Sequence, residues 1–171
     1  WGKMRSEAKW VKAHLMCGVK THIVTSVEVT PTETADAPKL PALVNTTAKM
    51  FDIKEVSADK AYSSKNNIGA IVNVNATPYI PFKSYSKGNQ GMHKQSALWQ
   101  RAWHYFSLNQ EAFYEHYHKR SNVETTFSMI KAKFGSSVRA KTPTAQVNEV
   151  LCKVLCHNIC VLIQSVVELG I

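Results

Sequence analysis

The sequence predicts a mixed α/β fold whose C-terminal part is helical. Residues 9–29 alternate between apolar and polar side chains, which is typical of strands, whereas residues 96–168 place apolar side chains at helical spacing. Between them, short strand-like segments alternate with helical ones. The predicted order is therefore strand, strand, helix, strand, helix, strand, and then helices, which is a mixed α/β pattern. A chain of 171 residues with 44% hydrophobic residues is long enough for one domain with a real core.

Two strands open the predicted fold. The segment from Lys9 to Cys17 alternates, and the segment from Thr21 to Val29 alternates again with β-branched residues. Gly18 lies between them, so we expect a tight turn and an antiparallel hairpin.

A helix and a short strand follow. The turn PTETADAP leads into a helix from about Pro38 to Phe51, and Thr34 or Asp36 is placed to cap its start. The segment KEVSA then reads as a short strand. Asp59 lies at the carboxyl end of that strand, where open α/β sheets place their sites.

The next segments alternate once more between helix and strand. Ser63 or Ser64 is placed to cap a helix that reaches about Asn73. TPYIPF is one more strand, and its prolines indicate an edge or an early exit from the sheet. SYSKGNQGMHKQ has the composition of a flexible loop, whose Lys83, Lys87 and Lys94 suit non-specific contacts to a nucleic-acid backbone.

The last third of the chain is predicted to be helical. A helix from about Ser96 to Leu108 carries Trp99 and Trp103 at helical spacing, which favours core packing over base stacking. The final helix runs from Thr144 to about Glu168 and is strongly apolar. Three cysteines repeat every four residues along it, and three such residues on one helix face make a poor zinc cage. We expect Cys152, Cys156 and Cys160 to be small buried hydrophobic residues.

Charge and composition narrow the class of protein. Lysine and arginine total 21 against 12 acidic residues, which gives a formal net charge of +9. Residues 81–141 hold ten basic residues against three acidic ones, whereas residues 26–59 hold six acids and three bases. A basic half beside a more acidic patch suits a polyanion that approaches a metal-binding centre.

No membrane or secretory feature is expected. No run approaches eighteen apolar residues, and the opening segment WGKMRSEAKW has charges without an apolar signal core. We therefore expect a cytoplasmic protein with reduced thiols. The sequence also lacks a starting methionine, and we expect an internal or truncated piece.

The segment from Tyr117 to Gly135 carries the most informative pattern. Its apolar residues fall at i, i+4, i+7 and i+11, which makes one stripe for a core; they are Val123, Phe127, Ile130 and Phe134. Beside this stripe, within about 60° of one another at about 100° per residue, lie a phenol, a guanidinium, a carboxylate and an ammonium. These are Tyr117, Arg120, Glu124 and Lys131. A solvated face with an ordinary Arg120–Glu124 ion pair is the alternative interpretation.

The spacing Y-x2-R-x3-E-x6-K resembles the YREK signature of cut-and-paste insertion-sequence transposases. These are DDE enzymes with an RNase H-like catalytic domain. Five blocks are similar to that domain in family order: WVKAHLMCGVKTHIVTSVEVT, EVSADKAYSS, PYIPFK, NVETTFSMIKAKFG and NEVLCKVLCHN. The resemblance covers nearly the whole chain from Lys9 onward.

The resemblance implies one partial catalytic domain over residues 1–171. Residues 9–82 would form the sheet-rich part and residues 96–171 the helical part with the signature. The implied architecture is an RNase H-like mixed sheet flanked by helices, with its first strand missing. That strand would lie between the one ending at Cys17 and the one ending at Asp59.

The resemblance also implies roles for five residues. Asp59, in the ADKAY context, matches the second catalytic acid, and Glu124 matches the third. Both would hold Mg²⁺ or Mn²⁺ in a two-metal site, because hard cations prefer carboxylate oxygens. Tyr117, Arg120 and Lys131 would contact DNA, the two cations through phosphates. For Asp59 a helix cap or a turn residue is the alternative interpretation.

The first acid has no match. In the family it belongs to a strand before the WVKAH block, and no aspartate precedes Asp36 in this sequence. We therefore expect a transposase segment that is inactive alone. An inactive remnant that binds DNA or intact transposase is the alternative, and a metal-dependent nuclease of the same fold is a weaker one. The implied partners are the double-stranded DNA of transposon ends and a second copy in a synaptic complex, with no membrane and no small-molecule substrate.

Overall fold

A computed structural model describes residues 11–86, residue 88 and residues 94–170. The predicted start of the first strand at Lys9 and most of the predicted loop before Lys94 lie outside these residues. The described elements, in chain order, are β1 (Val11–Cys17), β2 (Val24–Pro31), α1 (Leu40–Ala48), β3 (Glu55–Ser57), α2 (Lys65–Asn73), β4 (Thr77–Tyr79), α3 (Lys94–Leu108), α4 (Gln110–Tyr117), α5 (Ser121–Phe134) and α6 (Pro143–Leu169).

β1 and β2 form the predicted antiparallel hairpin. Their register runs from Val11 opposite Pro31 to Cys17 opposite Val24, with an irregularity at the last step. The connection is longer than the tight turn that the sequence predicts, because β2 begins three residues later than expected. His22 takes a positive φ of 56° in it, and its backbone N–H donates to the Gly18 carbonyl.

β3 and β4 form a separate, parallel pair that is connected by α2. Ser64 caps α2 as predicted, since its side chain accepts a hydrogen bond from the Asn67 backbone N–H. The Ala58 N–H donates to the Tyr79 carbonyl just beyond β3, at 3.3 Å. The parallel pair and its crossover helix place the end of β3, and therefore Asp59, at one edge of the fold.

The sequence predicts one mixed sheet, whereas the described residues form two sheets of two strands each. Each of β1 and β3 has a strand partner on one side only. On their other sides, residues of both strands line a groove of about 200 Å³, which Val123 and Phe127 of α5 also line. The mixed α/β class is confirmed. Two separate pairs are what remains when the strand expected between β1 and β3 is missing, and their membership of one RNase H-like sheet stays a prediction.

The first helix differs from its predicted form. One 3₁₀ turn over Ala37–Lys39 precedes α1, and α1 ends at Ala48 instead of Phe51. Asp36 makes no side-chain cap. Its carboxylate accepts from the Lys12 ammonium of β1 at 3.1 Å. The predicted cap is therefore an ion pair between the helix entry and the hairpin.

Three apolar clusters hold the elements together. The largest lies between α1, α2 and the β3–β4 pair and contains Leu40, Val44, Ile53, Val56, Ile71, Ala76 and Ile80. A second joins β2, α5 and α6 through Val24, Ile130 and Val154. The third packs Trp99 of α3 against Ile68 and Phe82, which confirms the predicted core role of that tryptophan.

The signature segment is not the single helix that the sequence predicts. α4 ends at Tyr117, one 3₁₀ turn spans His118–Arg120, and α5 begins at Ser121. No glycine or proline, the usual local causes of a helix break, lies in this region. The 3₁₀ turn itself contacts the end of β3, where Lys119 pairs with Glu55 and Arg120 pairs with Asp59.

α6 is a 27-residue helix whose N-cap is Thr142. It is long and apolar enough to cross a membrane by length and composition alone, which the sequence interpretation missed, and one such helix is weak evidence. Cys152 and Cys156 are exposed and Cys160 is half-buried, so the expectation of buried cysteines is wrong. The reason is that α6 buries a different face, formed by Val154, His157 and Val161.

Candidate active site

Asp59 lies two residues beyond β3, at the start of a 3₁₀ turn over Lys60–Tyr62. Its side chain does not cap that turn. It points instead to the signature segment: the Tyr117 hydroxyl donates to Asp59 Oδ1 at 3.3 Å, and Arg120 Nε lies 3.2 Å from the same oxygen. The helix-cap alternative for Asp59 is therefore not what the structure has.

Arg120 connects the two candidate acids. Its Nη1 donates to Glu124 Oε1 at 2.7 Å and lies 3.5 Å from Asp59 Oδ2. The hydrogen bond to Glu124 is the largest influence on the Arg120 pKa, which is raised above its ordinary value although burial lowers it. The ordinary i,i+4 ion pair is present, but it is part of a bridge that extends to Asp59.

The bridge is open to solvent. The side chains of Asp59 and Glu124 are 52% and 63% exposed, whereas that of Arg120 is 28% exposed. The Arg120 guanidinium also stands 5.6 Å from the centre of the Tyr117 ring. Burial raises the pKa of Tyr117, and the Arg120 charge opposes that increase. Four of the five predicted site residues thus meet at one accessible place.

Lys131, the fifth predicted site residue, lies apart from this contact set. Its ammonium stands 5.9 Å from the centre of the Phe127 ring, one turn back on α5. Lys131 and Glu124 both line a second groove, of about 500 Å³, whose opposite wall includes Lys153 of α6. Glu124 therefore borders both the bridge and a groove that carries two lysines.

Strand β3 holds the signature segment through a second set of contacts that the sequence interpretation missed. Glu55 Oε1 accepts from the Lys119 ammonium at 2.6 Å, and Glu55 Oε2 accepts from His116 Nδ1 at 2.5 Å. The Ser57 hydroxyl donates to the His116 carbonyl at 3.0 Å. Glu55, Ser57 and Asp59 alternate along one face of the strand, so all three reach the same segment.

The Glu55 carboxylate has two defined hydrogen-bond donors, Lys119 and His116, which is more than a surface glutamate usually has. Burial raises its pKa, but hydrogen bonds from Lys119 and His116 outweigh burial and leave the pKa below the ordinary value. The His116 ring stacks on Tyr79 of β4, with ring centres 4.4 Å apart and planes 6° from parallel. His116 is therefore held between Glu55 and Tyr79. The signal available in the sequence was the two-residue spacing of Glu55, Ser57 and Asp59, which places their side chains on one face of an extended segment.

The carboxylate oxygens of Asp59 and Glu124 suit one divalent cation that keeps other ligands such as water. They do not form a closed site made of protein ligands alone. Mg²⁺ is usually held by one or two carboxylates together with water and substrate phosphates, and Asp59 and Glu124 supply two carboxylates at an open surface. Among residues 11–86, 88 and 94–170, no group of three or more His, Cys, Asp and Glu side chains is placed to hold a metal ion. A two-metal site needs a further carboxylate.

The fold and this site define a mixed α/β protein with two carboxylates, one at a strand end and one on a helix, joined by an arginine. The family model that matches the chain is described as a transposase DDE domain, and it matches residues 2–159. The chain therefore belongs to the transposase DDE domain family. No curated protein and no solved structure matches it. Membership implies DNA as substrate and a role in DNA transposition, and DDE transposases normally use divalent metal ions.

Proposed function

We propose that this chain is most of the catalytic domain of a cut-and-paste transposase of the YREK type, which cleaves and joins DNA strands at transposon ends. The observation that carries the proposal is the Arg120 bridge, because it joins Asp59 and Glu124 from elements that are far apart in the sequence. An ordinary helix-surface ion pair needs no partner on a distant strand end. The proposed domain spans residues 1–171, with a sheet-rich part over 9–82 and a helical part over 96–171.

In this proposal Asp59 and Glu124 are catalytic metal ligands for Mg²⁺ or Mn²⁺. The metal, when bound, activates the attacking hydroxyl and stabilises the leaving oxygen of the phosphodiester. Asp59 and Glu124 present oxygens at an accessible surface, which a DNA backbone can approach. Arg120 offsets part of the negative charge of the two carboxylates, and a metal ion held by Asp59 and Glu124 would offset that charge in its place. Arg120 is then free to contact a phosphate.

Tyr117, Arg120 and Lys131 are the proposed DNA contacts. The Tyr117 hydroxyl and the Arg120 guanidinium both lie at Asp59, and therefore close to the proposed scissile phosphate. Lys131 borders the second groove beside Glu124, where its charge suits a phosphate further along the strand. The excess of basic residues between residues 81 and 141 supports double-stranded DNA as the partner. No small-molecule substrate is proposed.

The missing first acid is proposed to come from a strand that lies between β1 and β3. Both strands lack a partner toward the groove that separates them, and α5 lines the same groove with half-buried apolar side chains. A strand there would complete one RNase H-like mixed sheet. Its carboxyl end would lie beside that of its parallel neighbour β3, and so beside Asp59. Without that strand the printed segment is expected to be inactive.

An inactive remnant that binds DNA or intact transposase is the second candidate. The absence of a three-carboxylate group from the described residues favours it. Reading the gene upstream of Trp1 separates the two candidates. An in-frame strand with an aspartate supports the enzyme, whereas a stop codon or frame break supports the remnant. In either case we propose a soluble protein of the prokaryotic cytoplasm that associates with the nucleoid and dimerises in a synaptic complex.

The test is metal-dependent cleavage of a duplex that contains a transposon end. We expect that the chain of residues 1–171 does not cleave this duplex. We expect cleavage once the upstream strand is added to the chain. Asp59→Asn and Glu124→Gln should then each abolish cleavage, with DNA binding largely retained. The matched control is Asp52→Asn, at an exposed acid that pairs only with nearby Lys54 among its described salt bridges. Retained turnover in either acid variant would show that the acids are wrongly assigned.

A further inference from the structure

The connection between α5 and α6, residues 135–142, contains no helix or strand, yet side chains of α6 fix its backbone. The Glu149 Oε2 atom accepts hydrogen bonds from the Arg139 N–H at 2.8 Å and from the Ala140 N–H at 2.9 Å. The bond from Ala140 is the largest influence on the pKa of Glu149, which lies below its ordinary value. We call residues 135–142 the α5–α6 loop. An ionised carboxylate therefore holds its second half.

Lys153, one turn further along α6, holds the first half of the α5–α6 loop. Its ammonium donates to the Ser137 carbonyl at 2.7 Å and to the Gly135 carbonyl at 3.4 Å. It also lies 3.2 Å from Glu149 Oε1, and the Lys153 side chain is only 15% exposed. Hydrogen bonds to charged groups are among the stronger ones in proteins. The loop backbone is therefore fixed without a ligand, and Lys153 offsets the charge of Glu149.

The outer side of the loop carries positive charge that no acid balances. Residues 125–148 contain four Lys or Arg residues and no Asp or Glu. Two of the four, Arg139 and Lys141, are exposed and alternate with the half-buried Val138 and Ala140. Their Cα atoms lie at most about 7 Å apart. Neither cation forms an ion pair with a carboxylate of the described residues, so both are available to an external anion.

The loop also lies on a path from the candidate active site. Glu124, Lys131 and Val138 line the same groove. From Glu124 to its end at Phe134, α5 rises about 15 Å. At about 3.4 Å per base pair, this rise corresponds to about four to five base pairs of duplex DNA. A run of exposed charges is often only a solvated surface, but a solvated surface does not need an ion pair that fixes its backbone.

We propose that the α5–α6 loop is a preformed clamp for the backbone of duplex DNA, in which Arg139 and Lys141 contact phosphates about five base pairs from the one at Asp59 and Glu124. The position of that phosphate rests on the proposed function. Arg139 and Lys141 bind by charge and read no base sequence. Glu149 and Lys153 are positioning residues that hold the loop.

The first test measures how DNA affinity depends on salt. A fluorescein-labelled duplex of about 30 base pairs is titrated with the chain of residues 1–171 between about 0.05 and 0.3 M KCl, and fluorescence anisotropy reports binding. For Arg139→Gln with Lys141→Gln, we expect the slope of log K against log salt to fall by about 1.8, or about 0.9 per lost contact. The matched control, Lys49→Gln with Lys54→Gln, removes the same charge before β3 and should change the slope much less.

The second test separates a fixed loop from net charge alone. Glu149→Gln makes the chain more positive, so electrostatic attraction by itself predicts tighter DNA binding. The clamp predicts binding weaker by about threefold or more at every salt concentration with an unchanged slope, because both cations remain but their loop must be ordered on binding. Glu168→Gln adds the same charge on the same helix, beyond the loop contacts, and should bind at least as tightly as the native chain.

Arg120→Ala distinguishes failure of the clamp from failure of the proposed function. An unchanged slope in the Arg139–Lys141 double variant, or tighter binding by Glu149→Gln, would overturn the clamp. If Arg120→Ala still lowers the slope by about one, the phosphate contact at the candidate site stands without the loop. If only the double variant lowers the slope, the clamp stands and the Arg120 contact fails. A native chain that does not bind the duplex would overturn both.

Discussion

At the scale of single residues, Arg120 is the residue that connects the two candidate acids. Its guanidinium lies within 3.5 Å of both Asp59 and Glu124 and reduces the repulsion between the two carboxylates. A divalent cation that binds these oxygens must compete with the arginine. Under the proposed function, Arg120 would leave the two carboxylates when a metal ion binds them and could then contact a DNA phosphate.

Replacing Arg120 with glutamine should strengthen metal binding. Arg120→Gln removes the competing positive charge, and we expect the affinity for Mn²⁺ to rise by about tenfold, or about 1.4 kcal/mol. Mn²⁺ binding followed by electron paramagnetic resonance measures this without any DNA. Lys131→Gln removes the same charge from α5 outside the bridge and should change the affinity much less. Equal or weaker binding by Arg120→Gln would mean that the two acids do not form a common metal site.

At the scale of elements, β3 and the signature segment form one unit. Glu55, Ser57 and Asp59 occupy alternate positions along the strand, and each contacts the region where α4 passes into α5. Glu55, two residues before Ser57 on the same face of β3, holds this region through its contacts with Lys119 and His116. The distance between the two candidate acids thus depends on contacts outside the site itself.

Glu55→Gln should lower the free energy of unfolding by about 1–2 kcal/mol at neutral pH, because it weakens hydrogen bonds to charged partners. The folded-state pKa of Glu55 is depressed, so its contribution is fully present above the unfolded pKa of about 4.3 and is lost as pH falls through the lower folded value. The difference between the native chain and Glu55→Gln should therefore shrink between pH 5 and pH 3.

Urea unfolding at several pH values measures that difference. Glu28→Gln is the control, because Glu28 pairs with Lys39 at a longer distance of 3.6 Å. Its effect should be small at every pH, as for most exposed ion pairs. A difference for Glu55→Gln that stays constant down to pH 3 would show that the Lys119 and His116 contacts do not stabilise the carboxylate.

Much of this element-level structure could be predicted from the sequence. Alternation gives both hairpin strands, and Ser64 gives the start of α2. The spacing from Tyr117 to Glu124 correctly places their side chains on one side. The 3₁₀ turn at His118–Arg120 could not be predicted, since no local residue breaks the helix and the residues that the turn contacts are distant in sequence. For the same reason the role of His116 was missed, because its partners Glu55 and Tyr79 are distant in sequence.

At the scale of the whole molecule, the described strands form two separate sheets, as expected when the strand between β1 and β3 is missing. Strand alternation predicts that a strand exists, but it does not state which strand lies beside it. Here β1 and β3 each keep an unpaired edge toward the groove between them. Unpaired strand edges readily accept another strand and are also prone to aggregation.

Amide hydrogen exchange should reveal the open edge of β3. The Ala58 N–H bonds to Tyr79 on the β4 side, and successive amides of a strand point to opposite sides, so the Ser57 N–H faces the groove. We expect the Ser57 amide to exchange much faster than that of Ala58 in the printed chain. Adding the upstream strand should slow Ser57 selectively. Strong protection of Ser57 in a monomeric printed chain would contradict the proposed gap.

The contacts of Asp59 also have a consequence for the order in which the protein is made. Tyr117 and Arg120 follow Asp59 by 58 and 61 residues, and Glu124 follows later still. At about 5–20 residues per second, a ribosome needs about 3–12 seconds after synthesising Asp59 to reach Arg120. Throughout that interval the nascent chain has one candidate acid without the other. The contacts that join Asp59 to Arg120 and Glu124 therefore form only once the signature segment has left the ribosome, and under the proposed function a half-made polypeptide would lack one of the two metal ligands.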